Sequence, residues 1–124
     1  MIALDSSSVI AFLSGDHGVD VADVESALKL RQGVLPPIVV TELLSDPTIR
    51  VQIKLLLRAV PWLEIRDGYW ERAGDLRRRL LRVGLKARLA DTLIAQSCID
   101  HNVALVTRDR DFRHFAAHGG LRLQ

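Results

Sequence analysis

Apolar positions along the chain alternate between short unbroken runs and longer stretches spaced by threes and fours. Met1-Ile2-Ala3-Leu4 and Val103-Ala104-Leu105-Val106 contain no polar residue, the pattern of strands buried on both faces. Val34-Leu35 and Trp62-Leu63-Glu64-Ile65 read as further short strands. Helices are expected over about residues 7–14, 19–31, 36–46 and 48–58. The third opens on Pro36-Pro37, where a missing N–H is harmless, and stops before Pro47, because the residue preceding a proline disfavours the α region. The longest helix is expected over 67–83, with Tyr69, Ala73, Leu76, Leu80 and Val83 as one apolar stripe and Asp75 paired with Arg79. A last helix runs from about Asp91, with Leu93, Ile94, Ser97, Cys98 and Ile99 as its small apolar face. Asn102 tolerates positive φ and closes it. Gly119 to Leu123 read as a turn and a short final strand.

Strands alternating with helices imply a parallel sheet covered by helices, with right-handed crossovers bringing the strand ends into line. The carboxyl edge of such a sheet is where ligands bind. Asp5 follows the first strand directly, Asp109 and Asp111 follow the Val103–Val106 run, and Asp91 stands near a helix start. Glu42 is embedded in Val39-Val40-Thr41-Glu42-Leu43-Leu44. A carboxylate in apolar surroundings is unfavourable unless paired, protonated or bound to a cation. Five acids in such positions call for one explanation.

At 124 residues the chain is one domain, 1–124, and its 48% apolar content excludes a disordered chain. No apolar run approaches the ~20 residues of a membrane span. Met-Ile-Ala-Leu-Asp lacks the basic start of a signal peptide. Cys98 is the only cysteine, so no intrachain disulfide forms and a reducing cytoplasm is the expected location; its place in the helical pattern marks it for the core. The net charge of +2 is uneven, because residues 66–88 alone carry +5. A local basic field of this kind attracts polyanions. The histidines, His17, His101, His114 and His118, fall in loops, at a helix end or in the tail and suggest no ligand set.

Clustered carboxylates without His or Cys form a hard oxygen site, suited to Mg²⁺ or Mn²⁺. Such ions activate water and offset charge on a phosphoryl group. The segments Ala3-Leu4-Asp5-Ser6-Ser7, Val40-Thr41-Glu42-Leu43-Leu44, Ala90-Asp91-Thr92-Leu93-Ile94-Ala95 and Leu105-Val106-Thr107-Arg108-Asp109-Arg110-Asp111-Phe112 occur in that order. Together they resemble the PIN-domain ribonucleases, most of all the VapC-type toxins of toxin–antitoxin pairs, and the resemblance covers essentially the whole chain.

The resemblance implies a three-layer α/β/α fold with a short, mostly parallel central sheet. It further implies Mg²⁺- or Mn²⁺-dependent endonuclease cleavage of RNA, a homodimer, and a small antitoxin protein bound next to the active site. Carried over residue by residue, Asp5, Glu42, Asp91 and Asp109 are the expected catalytic acids. Asp5, Asp91, Asp109 and Asp111 are the expected metal ligands, with Asp111 direct or water-mediated, and Ser7 and Thr92 the expected supporting hydroxyls. Lys86, Arg88, Arg108 and Arg110 are the expected phosphate contacts, which position RNA without reading its sequence. Phe112 is expected to anchor the acid loop. The alternative is a non-catalytic PIN-like module that holds RNA or a partner. A dehalogenase-like phosphotransfer domain is disfavoured, since it needs a second acid where Ser7 stands.

Overall fold

The computed structural model describes all 124 residues. Three short strands, β1 (Ile2–Leu4), β2 (Gly33–Val34) and β3 (Ala104–Val106), form a parallel sheet in the order β2-β1-β3. In register, Ile2 lies beside Gly33 and Ala104, and Ala3 beside Val34 and Leu105. The central strand is therefore flanked by segments about 30 and 100 positions away in the chain. Ala3, Leu4 and Leu105 are fully buried, as the unbroken apolar runs require.

Seven helices surround the sheet: α1 (Ser6–Leu13), α2 (Val19–Lys29), α3 (Pro37–Leu44), α4 (Val51–Ala59), α5 (Tyr69–Arg82), α6 (Leu89–Asp100) and α7 (Phe112–Gly119). The α2 helix packs against β2 and β3, while α6 packs against β3, with α5 and α7 packed on it in turn. The result is three α/β/α layers, the architecture that the resemblance implies. No helix is long and apolar enough to cross a membrane.

The α5–α6 contact is fastened by polar groups as well as by Leu76, Leu80 and Ile94. Arg72 donates to both carboxylate oxygens of Asp100, at 2.9 and 2.7 Å, and Gln96 donates to the same carboxylate at 2.8 Å. Burial works against the Asp100 charge, but these bonds hold its carboxyl below the ordinary range. The Tyr69 hydroxyl donates to the Leu93 carbonyl at 2.6 Å. At Asn102 the backbone takes φ 51°, the expected left-handed stop. Cys98 is buried, and burial pushes its thiol up to about 12, so it serves as core.

The structure departs from the sequence pattern in five places. Residues 62–65 form no strand; only Trp62 bridges to Leu35, with the Leu63 N–H donating to the Leu35 carbonyl at 2.9 Å. The tail contributes one bridge, Leu105 to Leu123, rather than a strand. Residues 112–119, unassigned by the pattern, form α7, whose inward face is Phe112 and Phe115. Because α5 stops at Arg82, Val83 falls off its stripe and is 63% exposed. Asp75 pairs with Arg78, one position nearer than the expected Arg79, at 2.8 Å.

Candidate active site

Each expected acid is delivered by a different piece of backbone. Asp5 continues the β1 ladder, its N–H donating to the Val106 carbonyl at 2.9 Å, and it is the N-cap residue of α1. Glu42 lies on α3, Asp91 in the first turn of α6, and Asp109 in the turn after β3. Asp111 is the N-cap residue of α7. Parallel pairing of β1 with β2 and β3 puts the segments after these strands, and the start of α6 that leads back into β3, at the carboxyl edge of the sheet. Carboxylate oxygens of Asp91, Asp109 and Asp111 lie within 4.8 Å of one another. Asp5 and Glu42 stand outside that trio but near enough for mutual charge repulsion with Asp91.

The charges are poorly compensated. Asp5 is 4% exposed, and burial raises its proton affinity even though hydroxyl bonds oppose the rise. Burial likewise raises Glu42, with the Asp5 charge adding. Asp91 is pushed up to about 6, first by burial and then by Asp109 and Asp5. None of these three forms an ion pair. A divalent cation offsets such crowding, and an all-carboxylate donor set fits Mg²⁺ or Mn²⁺.

Hydroxyls hold the acids in place. Ser7 Oγ and Thr107 Oγ1 both donate to Asp5 Oδ2, at 2.6 and 2.7 Å. Thr107 Oγ1 also accepts the Asp109 N–H at 3.0 Å, so one hydroxyl ties two acids together. The Asp111 N–H donates to Asp109 Oδ1 at 2.9 Å, which fixes that carboxylate over its own turn. Ser6 Oγ donates to Glu42 Oε1 at 2.9 Å. Ser7 thus meets an acid as expected of a supporting hydroxyl. Thr92 does not, because its hydroxyl returns to the Arg88 carbonyl at 2.8 Å. Thr107 and Ser6 carry out that task, and the sequence pattern does not single them out. Their only signal there is a hydroxyl flanking an acid at a strand end.

The four expected phosphate contacts separate into two kinds. Arg88 and Arg110 are exposed and in no ion pair. Lys86 Nζ lies 2.9 Å from Asp111 Oδ2. Arg108 is turned away onto α2, with Nε donating to Asp20 Oδ2 at 2.8 Å. Asp16 lies 3.6 Å from the same guanidinium. Ser8 Oγ completes the Asp20 environment at 2.9 Å, and the bond from Arg108 holds the Asp20 carboxyl below its ordinary range. The largest concavity, about 660 Å³, is apolar, lies between α1, α2 and α4, and is lined by none of the acids.

Comparison with known proteins agrees with this architecture. The PIN domain family matches residues 2–118. No curated protein matches the sequence. Among solved structures, the chain is similar to VapBC2 from Rickettsia felis bound to a DNA fragment from its promoter, at TM-score 0.75 and 23% identity over 100% of this chain and 98% of that one. It is similar to VapBC-1 from nontypeable Haemophilus influenzae at TM-score 0.76 and 23% identity, over 100% and 97%. FitAcB from Neisseria gonorrhoeae gives TM-score 0.71 and 20% identity, over 99% and 96%. At these identities the likeness is one of fold, and the family match over nearly the whole length supplies the rest: this chain belongs to the PIN-domain family.

Proposed function

We propose that the protein is a metal-dependent endoribonuclease and the toxin of a toxin–antitoxin pair. The observation that carries this reading is the convergence of Asp5, Glu42, Asp91 and Asp109 at one sheet edge, with burial and mutual repulsion raising Asp91 to about 6. Structural acids of a folded domain are normally capped or paired; these are crowded together and held by hydroxyls. Asp5, Asp91 and Asp109 would hold Mg²⁺ or Mn²⁺, with Glu42 beside them. When bound, the ion lowers the pKa of water and offsets negative charge on a phosphoryl group.

The chain's own residues supply the rest. Ser7 and Thr107 fix the Asp5 carboxylate, and the Thr107 and Asp111 backbone bonds fix Asp109, so the donor set is preorganised. Glu42, held by the Ser6 hydroxyl, would direct the attacking water or take its proton. Arg88 and Arg110, exposed and unpaired at the rim, are free to meet backbone phosphates. A further structure of similar fold, from Klebsiella pneumoniae, is a toxin–antitoxin complex by description, which supports a small antitoxin as partner of this chain; a homodimer and a cytoplasmic location belong to the same reading.

The test is incubation of total RNA with partner-free protein in Mg²⁺, Mn²⁺ or EDTA, alongside Asp91→Asn. Discrete fragments that need the metal and disappear in the variant are expected. Folded protein that leaves RNA intact under every ion would turn the reading towards a binding module. Matched RNA and DNA oligonucleotides in the same assay decide between the two nucleic acids.

A further inference from the structure

Of the five acids at the sheet edge, Asp111 alone is in an ion pair. The cluster is thus electrostatically divided. Four acids lack a cation, and the fifth already has one. A divalent ion drawn fully onto Asp111 would also meet the Lys86 ammonium at close range, which is repulsive.

Lys86 is not a loose surface side chain that happens to reach an acid. Its segment is fastened on both sides. Gly84 reverses the chain after α5 at φ +78°, and the Leu85 N–H donates to the Leu80 carbonyl at 3.0 Å. Ala87 is buried and its carbonyl accepts Arg77 Nε at 2.8 Å. The Arg88 carbonyl accepts both the Thr92 N–H and its hydroxyl, at 2.9 and 2.8 Å. Asp111 is held as firmly, through its own N–H on Asp109 and the buried Phe112 that follows it. Lys86 remains 51% exposed. An ammonium has three donors, and Asp111 occupies one. Two N–H bonds therefore stay available at the rim, beside Asp91 and Asp109, with Arg88 nearby.

We propose that Asp111 is a positioning residue that holds the Lys86 ammonium at the rim of the metal site, and that Lys86 binds a phosphate oxygen of the RNA there. The metal ligands are then Asp5, Asp91 and Asp109 without Asp111. This rests on the nuclease reading above. It corrects the simplest view of the compact Asp91–Asp109–Asp111 trio: Asp111 is close to the other two because its N–H closes the Asp109 turn, and it does not share their ligand role.

The experiment uses the full chain and two binding titrations that do not depend on turnover. Mn²⁺ uptake is measured by calorimetry for wild type, Asp91→Asn and Asp111→Asn. Affinity for a fluorescein-labelled single-stranded RNA is measured by anisotropy in EDTA over a salt series, for wild type, Lys86→Met, Lys86→Arg, Asp111→Asn and the Lys86→Met/Asp111→Asn pair. Asp91→Asn is expected to lose Mn²⁺ binding, while Asp111→Asn stays within about threefold of wild type, under the ~1.4 kcal/mol of a tenfold change. Lys86→Met is expected to weaken RNA binding about tenfold, the size of one charge-assisted contact. It should also flatten the log-affinity against log-salt slope by ~0.7, one phosphate's share for a single strand. Lys86→Arg should retain most of the affinity. Asp111→Asn should alter RNA affinity only while Lys86 is present, the non-additivity expected of a residue acting through another.

An Asp111→Asn variant that loses Mn²⁺ binding on the scale of Asp91→Asn overturns the proposal. So does a Lys86→Met variant with wild-type RNA affinity and salt slope. Circular dichroism of each variant excludes misfolding as the cause. A wild type that takes up no Mn²⁺ counts instead against the nuclease reading, and the RNA titration then decides the role of Lys86 alone.

Discussion

At Asp91 the charged carboxylate meets burial and the fields of Asp109, Asp5 and Glu42, and its proton affinity rises from 3.8 to about 6. The folded state therefore binds this proton more tightly than the unfolded chain does. The stability that follows is fully present below the ordinary carboxylate range and is lost as the pH climbs through about 6. In EDTA, Asp91→Asn is expected to melt a few degrees above wild type at pH 8 and to keep only about half of that advantage at pH 5, the rest going as the pH falls below the ordinary carboxylate range. A shift of this size corresponds to ~1.4 kcal/mol per unit, reduced to about 1–2 kcal/mol in all because the side chain is only partly buried. Melting curves at the two pH values check it, and an equal difference at both would mean that the Asp91 charge is not its source. Arg108 makes the opposite case, a cation already spent inside the fold. Arg108→Ala should lower stability slightly, since Asp20 loses its cation and keeps the Ser8 hydroxyl, while the salt slope of RNA binding stays unchanged. A flattened slope would return Arg108 to the phosphate contacts.

Among the elements, α7 ties the acid turn to the core. Asp111 begins it, Phe112 and Phe115 are each 1% exposed, and their rings lie 5.9 Å apart. Phe112→Ala is expected to cost about 3–5 kcal/mol, the range for emptying a buried aromatic site. Because Asp109 and Asp111 precede it, Mn²⁺ affinity should fall with stability. Thermal unfolding and calorimetry on one sample test this, and an unchanged melting temperature would refute the anchoring role. The anchor was legible in the sequence, but the helix carrying it was not. Its apolar signal is two phenylalanines three apart in eight residues, too little for a periodicity, and Gly119-Gly120 read as the tail's turn. By contrast, β1 and β3 were legible because every residue is apolar, which a strand covered on both faces demands. Residues 62–65 have the composition of a strand, but Glu64 and Ile65 are exposed and find no strand partner beyond the single Trp62 bridge. Pairing is a tertiary event that composition does not encode.

On the scale of the whole molecule, the site is drawn from chain positions 5 to 111, so its acids come together only when the sheet does. Their placement at this edge was legible because acids rarely stand at the ends of apolar runs without a reason. Their supports were not: Thr107 reaches Asp5 across 102 positions, a contact that only the β1–β3 pairing creates. Assembly from distant segments also links ion binding to folding. The unfolded chain holds no such cluster, so a divalent ion held by these acids would bind the native state almost exclusively and raise its stability by mass action. At ~100 times its dissociation constant, Mn²⁺ is expected to add about 2.7 kcal/mol. For a chain of this size that is a rise of roughly 10 °C in melting temperature. The increment should be full at pH 8 and smaller at pH 5, because a protonated Asp91 must release its proton before it can serve as a ligand. Asp91→Asn and Asp109→Asn should melt at the same temperature with or without Mn²⁺. If instead both variants gained as much as wild type, the ion would be stabilising the protein elsewhere, and the carboxylates at the sheet edge would lose their claim to it.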